Sequence, residues 1–306
     1  MISIAEAFNE FIRDRQVYCS AATIRTYTGH MQGYFIWLQE TYHKSIQELS
    51  FGDIPEQDNI ITGYILALRQ HNPNVRNTSI RSYCRAVKVF LRYCYDCDYC
   101  RDYLKGLKLP KDDAAPKEPL YADEVKRLDQ CFDMHTVKGL RNYCIVHLML
   151  DCGLRSQEVR HLEVAHLQPA RDLLLIKDSK GSKSRFTLAP DFIFAAIDSY
   201  LKLDGRSSGL LFLGLRNREP LTSNAVKQLF GHLKAQSDIP RLHAHLLRHT
   251  FATSYLIGGG NLEFLRVFMG HYDYSVTRNY TQIAAQCKML GVEIYRLNDI
   301  FFTRGY

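Results

Sequence analysis

The sequence predicts a mainly α-helical protein of two domains, the second carrying one small β-sheet. Three observations carry that prediction. Apolar residues recur at helical spacing through most of the chain. The stretch GLKLPKDDAAPKEPL, residues 106–120, lacks this periodicity, is rich in Pro, Lys and Asp, and reads as an interdomain linker. Two short apolar runs, LLLIK over 173–177 and SRFTL over 184–188, flank the turn DSKGSK and read as paired strands.

In the first domain, residues 1–105, Ile4, Phe8, Phe11 and Ile12 define one face of a helix over 2–18. Ser20 and Thr23 are helix-start residues for a second, over about 22–42, which carries Tyr27, Met31, Tyr34, Phe35 and Leu38. A third, over about 56–70, carries Ile60, Ile61, Tyr64, Ile65 and Leu68. The segment HNPNVRNTS then breaks the chain and caps a fourth, over about 77–97.

The fourth helix has two stripes. Ile80, Cys84, Val87, Leu91 and Cys94 repeat at a spacing that faces a core. Arg81, Arg85, Lys88 and Arg92 repeat on a neighbouring face, with no acid between Arg76 and Arg92. A solvated helix usually mixes signs to gain i,i+4 pairs. An all-basic stripe points instead to phosphates, with contacts to backbone and bases in a major groove; a basic solvent face is the competing reading. Cys94, Cys97 and Cys100 resemble a partial metal site. A closed zinc site needs four ligands and no fourth is near, so their three-residue spacing reads as helix packing.

In the second domain, residues 121–306, Ala122-Asp123-Glu124 opens a helix and residues 139–151 form an apolar one that ends at Gly153. Further helices are expected at about 191–203, 223–236, 244–257 and 262–269, with a last one around 283–296.

At 306 residues, 46% hydrophobic and 23% charged, the chain is long enough for two cores and has the composition of a soluble globular protein. It holds no apolar run of 18 residues, so no transmembrane helix and no membrane partner are expected. The first residues, MISIAEAFNEFIRDRQ, include acids at amphipathic spacing and do not read as a signal peptide. Nine cysteines without an export signal suggest reduced thiols and a cytoplasmic setting. A net charge of +7 suits a polyanionic partner.

The chemistry is concentrated in a few boxes. Gly153-Leu154-Arg155-Ser156-Gln157-Glu158 lies upstream; His245-Leu-Leu-Arg248-His249, Met269-Gly270-His271 and Tyr280 follow near the C-terminus. They supply two guanidiniums, histidines and a phenol, and no carboxylate pair suited to a metal. Such a set fits covalent attack on a phosphodiester by the tyrosine. The chain has 19 tyrosines, so the nine-residue step from His271 is what selects Tyr280.

These boxes resemble those of the tyrosine recombinase (phage integrase) family, in its usual order and over nearly the whole chain. CGLRSQEVRHL is similar to the first arginine box, SKGSKSRFTL to the lysine hairpin, HAHLLRHTFAT to the His-x-x-Arg box and MGHYDYSVTRNY to the tyrosine box. Cys152 stands where the family more often has Thr, and Met269 where it has Leu. The resemblance implies a helical, SAM-like core-binding domain and a mixed α/β catalytic domain that together clamp duplex DNA, in the simple two-domain form.

It also implies roles. Arg155 and Arg248 hold the phosphate oxygens, and His245 and His271 assist the tyrosine or support the phosphate. Lys180 protonates the leaving 5′-hydroxyl, with Lys183 in the same turn as its competitor. Tyr280 forms a 3′-phosphotyrosyl link, which stores the bond energy, so neither ATP nor a metal is required. Glu158 orients its region. His249 packs or caps; the Leu246 after His245 breaks the zinc-protease pattern. Lys183 and Arg185 join Arg81, Arg85, Lys88 and Arg92 as expected DNA contacts. The implied partner is double-stranded DNA with an inverted-repeat core site, bound by a homotetramer or paired heterotetramer, with accessory DNA-bending proteins. The activity implied is site-specific recombination through a Holliday junction, in integration, excision or resolution, in a bacterial, phage or mobile-element setting at the nucleoid. The segment of about 282–306, with Met289, Leu290, Val292 and Ile294 apolar and no further domain expected to cover it, is expected to dock on a neighbouring protomer, as the family's C-terminal helices do. A type IB topoisomerase or hairpin-forming resolvase is a second reading, disfavoured by the small N-terminal helical domain and the recombinase form of the boxes. A non-catalytic DNA-binding protein is a third, and it fails because all six reactive positions are filled.

Overall fold

In a computed structural model, which describes residues 2–111, 118–177, 184–270, 274–289, 291, 294–298 and 300–303, helices dominate and one small sheet accompanies them. The chain divides into two units, residues 1–115 and 116–306.

The first unit is built from α1 (Ile4–Gln16), α2 (Ala21–Tyr42), α3 (Ile60–His71) and α4 (Asn77–Asp96). Side chains cap the first three. Ser3 and Glu6 form a reciprocal capping box, and Ser20 and Asn59 each accept a backbone N–H of the first turn. Phe8, Phe11, Phe35 and Phe90 meet edge to face at the centre, with Phe8 4.9 Å from Phe35 and 5.6 Å from Phe90. The apolar stripe of α4 faces this core, and Ile80, Cys84, Val87, Leu91 and Cys94 are buried. Burial pushes the Cys100 thiol up to about 12 and raises Cys94 as well, so these sulfurs behave as packing groups. No three His, Cys, Asp or Glu side chains among the described residues are grouped to hold a metal ion.

The linker expected over 106–120 is shorter in the structure. Leu107 and Leu109 pack against the first core, and Arg81 Nη1 donates to the Pro110 carbonyl at 2.9 Å. At the other end Leu120 is buried in the second unit and its N–H donates to Thr250 Oγ1 at 2.9 Å. Leucines inside a Pro-rich stretch bury themselves even where no helical period announces them.

The second unit opens with α5 (Ala122–Asp129), α6 (Val137–Leu150) and the short α7 (Ser156–Arg160). The sheet follows, with β1 (Leu167–Gln168), β2 (Leu173–Ile176) and β3 (Arg185–Leu188) antiparallel in that order. Leu173 pairs with Leu188 and Ile176 with Arg185, the hairpin that the two apolar runs predict. β1 is too short to leave an alternating pattern in sequence. Next come α8 (Asp191–Asp204), α9 (Ser223–Ser237), α10 (Ala244–Ile257), α11 (Leu262–Met269), α12 (Tyr274–Met289) and α13 (Ile300–Thr303). Helix α10 packs against α6, α11 and α12 at the middle of the unit. None of the helices among the described residues is long and apolar enough to cross a membrane.

One expectation about the C-terminus is corrected. The last long helix spans 274–289, not 283–296, so Tyr280 lies inside it. Of the apolar residues named for the segment beyond, Met289 is 87% exposed, Ile294 is buried, and Leu290 and Val292 lie outside the described residues. Ile294 bridges to Tyr121, and Leu297 and Phe301 are buried beside Phe251, Tyr255 and Met269. The apolar residues at 294, 297 and 301 continue a helical-looking spacing, but they are buried by an extended strap that ends in one short turn.

A buried polar network anchors this strap. His147, fully buried on α6, has Nδ1 2.8 Å from Asp151 and Nε2 2.9 Å from Asp129, and its ring lies 4.0 Å from that of Tyr143. The Tyr295 hydroxyl donates to the other oxygen of Asp151 at 2.6 Å, and Ser254 donates to the Tyr295 carbonyl. Burial disfavours the imidazolium, but the hydrogen bonds and charges of Asp129 and Asp151 outweigh it and raise His147 to about 9. A raised histidine stabilises the fold fully below its ordinary value of about 6.5 and loses that contribution as pH rises through about 9. The shift corresponds to on the order of 3 kcal/mol. Thermal melts should therefore show Tm falling between pH 6.5 and 9, and His147→Gln should flatten that slope; an unchanged slope would show that His147 does not titrate in this range.

Candidate active site

The site forms where three chain segments meet: the α6–α7 turn, the second turn of α10 and the C-terminus of α11. Gly153 makes the first possible. Its φ is +67°, and a Cβ there would stand 2.6 Å from the Phe251 ring. The turn places Arg155 before α7, where its N–H donates to Glu158 Oε2 at 2.6 Å and its Nη1 to Oε1 at 2.9 Å.

Arg248 projects from α10 into the interior, with its side chain 3% exposed. Nη1 donates to the Gly153 carbonyl and Nη2 to the Met269 carbonyl, which fixes the guanidinium plane. Burial and the neighbouring charges of Arg155 and Arg185, against a contribution from Glu158 that favours the charged form, lower Arg248 to about 9, so it remains charged at neutral pH. The third segment ends at Gly270, which takes the left-handed conformation at φ +57° that commonly closes a helix. The Gly270 carbonyl accepts from Arg155 Nη2 at 2.9 Å.

Tyr280 sits on α12, which packs along α10. It is 6% exposed, and its ring lies 5.2 Å from the His249 ring. Burial raises the phenol above its ordinary pKa, while the charges of Arg248 and Arg155 pull it down without cancelling the rise. The resting hydroxyl is therefore neutral at neutral pH, within the field of both guanidiniums. The structure thus brings together Arg155, Arg248 and Tyr280. It adds His249, whose ring contact with Tyr280 fits the packing role expected of it.

His245 is exposed on the first turn of α10, one turn from Arg248. It borders a pocket of about 420 Å³ with Ser156, Lys227, Lys234 and His243. Sequence reasoning missed the two lysines. Their i,i+7 spacing on α9 was the available signal, and it carries little weight without the pocket beside it. Lys180, Lys183 and His271 lie outside the described residues.

Arg185, expected as a DNA contact, is engaged within its own chain. Its side chain is 14% exposed, and its Nε, Nη1 and Nη2 are directed at the Phe268 carbonyl and both oxygens of Glu158. Within the basic stripe of α4, two members are also engaged. Arg92 pairs with Asp96 at 3.2 Å, beyond the acid-free stretch, and Arg81 holds Pro110. Among the described residues, Arg85 and Lys88 have no carboxylate at ion-pair distance. Glu158 is the carboxylate of the arginine cluster; burial alone would raise its pKa, but Arg185, the Arg155 N–H and Arg248 hold it below the ordinary value. Both its oxygens are taken by these donors, so it is no free metal ligand.

Comparison with known proteins agrees with this geometry. The model of the phage integrase family matches residues 118–286, more than half of the chain. The chain is 27% identical to tyrosine recombinase XerC of Bacillus pumilus, over 92% of each protein. It is 26% identical to tyrosine recombinase XerD of Staphylococcus aureus, over 67% of this chain and 72% of that one. In fold it is similar to the Tn1549 transposon integrase in complex with transposon right end DNA, with a TM-score of 0.73 and 18% identity over 95% of this chain and 99% of that one. It is also similar to the XerH site-specific recombinase bound to palindromic difH substrate, with a TM-score of 0.70 and 17% identity over 94% and 84%. The four boxes, the meeting of Arg155, Arg248 and Tyr280, and the matched domain lead to one conclusion: this chain belongs to the phage integrase family and is a tyrosine recombinase.

Proposed function

We propose that the chain carries out site-specific recombination of duplex DNA, with Tyr280 as the nucleophile that cuts each strand. The observation that carries this assignment is the Tyr280 hydroxyl, buried within the field of Arg248 and Arg155. A phosphodiester repels nucleophiles, and its non-bridging oxygens gain charge as phosphorus becomes five-coordinate. Arg155 and Arg248 meet that charge with planar forks of donors. The Tyr280 oxygen forms the new bond to phosphorus and the bond to the 5′-oxygen breaks. The phenolic proton passes to a base, for which His245 is the candidate, and Lys180 delivers a proton to the leaving 5′-oxygen. His271 supports the phosphate. The 3′-phosphotyrosyl link keeps the bond energy, so rejoining needs no ATP, and the guanidiniums serve where a metal otherwise would.

The DNA is proposed to be an inverted-repeat core site held by four protomers. In support, the XerH and Tn1549 integrase structures that this fold resembles hold DNA. Lys227 and Lys234 extend the cationic surface beside His245 and are assigned to the phosphate backbone. The test is a nicked duplex from which the cut fragment diffuses away. The chain should become covalently attached at the 3′-phosphate in EDTA and without ATP; no attachment would refute the assignment.

Arg85 and Lys88 are assigned as the principal phosphate contacts of the first unit. The Arg85→Ala/Lys88→Ala variant should lower the slope of log affinity against log salt by about 2, near one per lost contact. Arg81→Ala/Arg92→Ala should change it less, because both side chains are already engaged. Equal slopes for wild type and the first variant would make the stripe a solvated face.

A further inference from the structure

Three consecutive carbonyls at the end of α11 are each taken by a different arginine. Phe268 O accepts from Arg185 Nε at 2.8 Å, Met269 O from Arg248 Nη2, and Gly270 O from Arg155 Nη2 at 2.9 Å. A helix C-terminus leaves such carbonyls without intrahelical partners and carries partial negative charge, so it suits three cations. Opposite it lies Glu158, which all three arginines also approach.

Arg185 differs from the other two. It meets Glu158 fork on fork, Nη1 to Oε1 at 2.8 Å and Nη2 to Oε2 at 2.9 Å, and its side chain is 14% exposed. Arg155 is 43% exposed and reaches the same carboxylate through one side-chain nitrogen. Arg248 Nη1 stands 3.9 Å from Glu158 Oε2. Three guanidiniums and one carboxylate leave two positive charges, the number needed at a phosphate approaching five-coordination. Gly270 admits this arrangement, since a Cβ there would stand 3.0 Å from the Arg185 Cζ.

We propose that Arg185 is a positioning residue for strand cleavage: its bidentate pair with Glu158 and its bond to Phe268 O neutralise that carboxylate and hold the α11 terminus, which leaves Arg155 and Arg248 directed at the scissile phosphate. The proposal rests on the reading of those two arginines as phosphate holders. Without Arg185, Glu158 has Arg155 and Arg248 left to pair with, and the carboxylate competes with the phosphate for both.

The experiment is single-turnover formation of the covalent complex by the full chain on a nicked duplex, with DNA affinity measured across salt concentrations. Arg185→Ala should slow cleavage on the order of 10²-fold, the cost of a small misplacement at a reacting centre, with affinity and salt slope unchanged. Arg185→Lys should not restore the rate, because an ammonium is a point charge without the fork. Arg185→Ala/Glu158→Ala should cleave faster than Arg185→Ala alone, since the unbalanced carboxylate is gone. A purely structural role predicts the reverse, because the double variant loses more packing; that result overturns the proposal. A salt slope reduced by about 1 in Arg185→Ala would make the residue a DNA contact and overturn it equally. If Arg185→Ala does not fold, Arg185→Lys and the double variant carry the same comparisons. Tyr280→Phe separates the two levels: attachment by that variant would defeat the reading of the site, whereas an inert Tyr280→Phe beside a fully active Arg185→Ala would defeat this proposal alone.

Discussion

Tyr280→Phe is expected to bind its DNA site with unchanged affinity and to form no covalent complex. The ring keeps its place against His249 and within the apolar cluster that contains Phe251, Leu297 and Phe301. Only the hydroxyl oxygen is lost, and one hydrogen bond in a folded protein is worth roughly 1 kcal/mol net, so the fold should persist. The rate should fall by at least about four orders of magnitude, as removal of a covalent nucleophile generally does. Gel-shift affinity and denaturing-gel capture of the nicked duplex measure the two quantities side by side. Covalent capture that persists in Tyr280→Phe would assign the nucleophile elsewhere among the chain's other tyrosines.

The same residue shows how far the sequence reading reached. The nine-residue step from His271 selects Tyr280 out of 19 tyrosines, and the two-residue step in Gly-Leu-Arg and the three-residue step in His-x-x-Arg select Arg155 and Arg248. Their meeting could not be read from spacing, because it depends on a left-handed Gly153 and on carbonyls at the end of α11. The intramolecular partners of Arg185 are hidden from the sequence for a related reason. A basic residue beside a lysine-rich turn looks like a phosphate contact, and the partner that claims it, Glu158, lies 27 residues earlier. Helices with a strong one-sided stripe, such as α4, were placed to within a residue or two. The last helix, expected over 283–296, ends at Met289, and Ile294, Leu297 and Phe301 beyond it are buried by tertiary contacts. Those contacts are set by Tyr121, Asp151 and Ser254, far away in sequence.

Arg155 and Arg248 should separate when each is removed. Both substitutions to Ala should slow single-turnover cleavage by about 10²–10³-fold, the usual cost of one donor that strengthens as charge develops in the transition state. Their effects on the free protein differ. Arg155 is 43% exposed, so Arg155→Ala should leave the melting temperature nearly unchanged. Arg248 is 3% exposed and satisfies the Gly153 and Met269 carbonyls, so Arg248→Ala leaves two buried acceptors without that donor. Each such orphan costs roughly 1–3 kcal/mol, and Tm should fall clearly. Arg248→Lys should recover neither rate nor stability, because an ammonium does not span both carbonyls and a phosphate oxygen in one plane. DNA affinity should change little in either variant, since the strongest contacts form only as phosphorus becomes five-coordinate. If affinity instead falls in step with rate, these arginines hold ground-state DNA, and transition-state stabilisation must come from other groups.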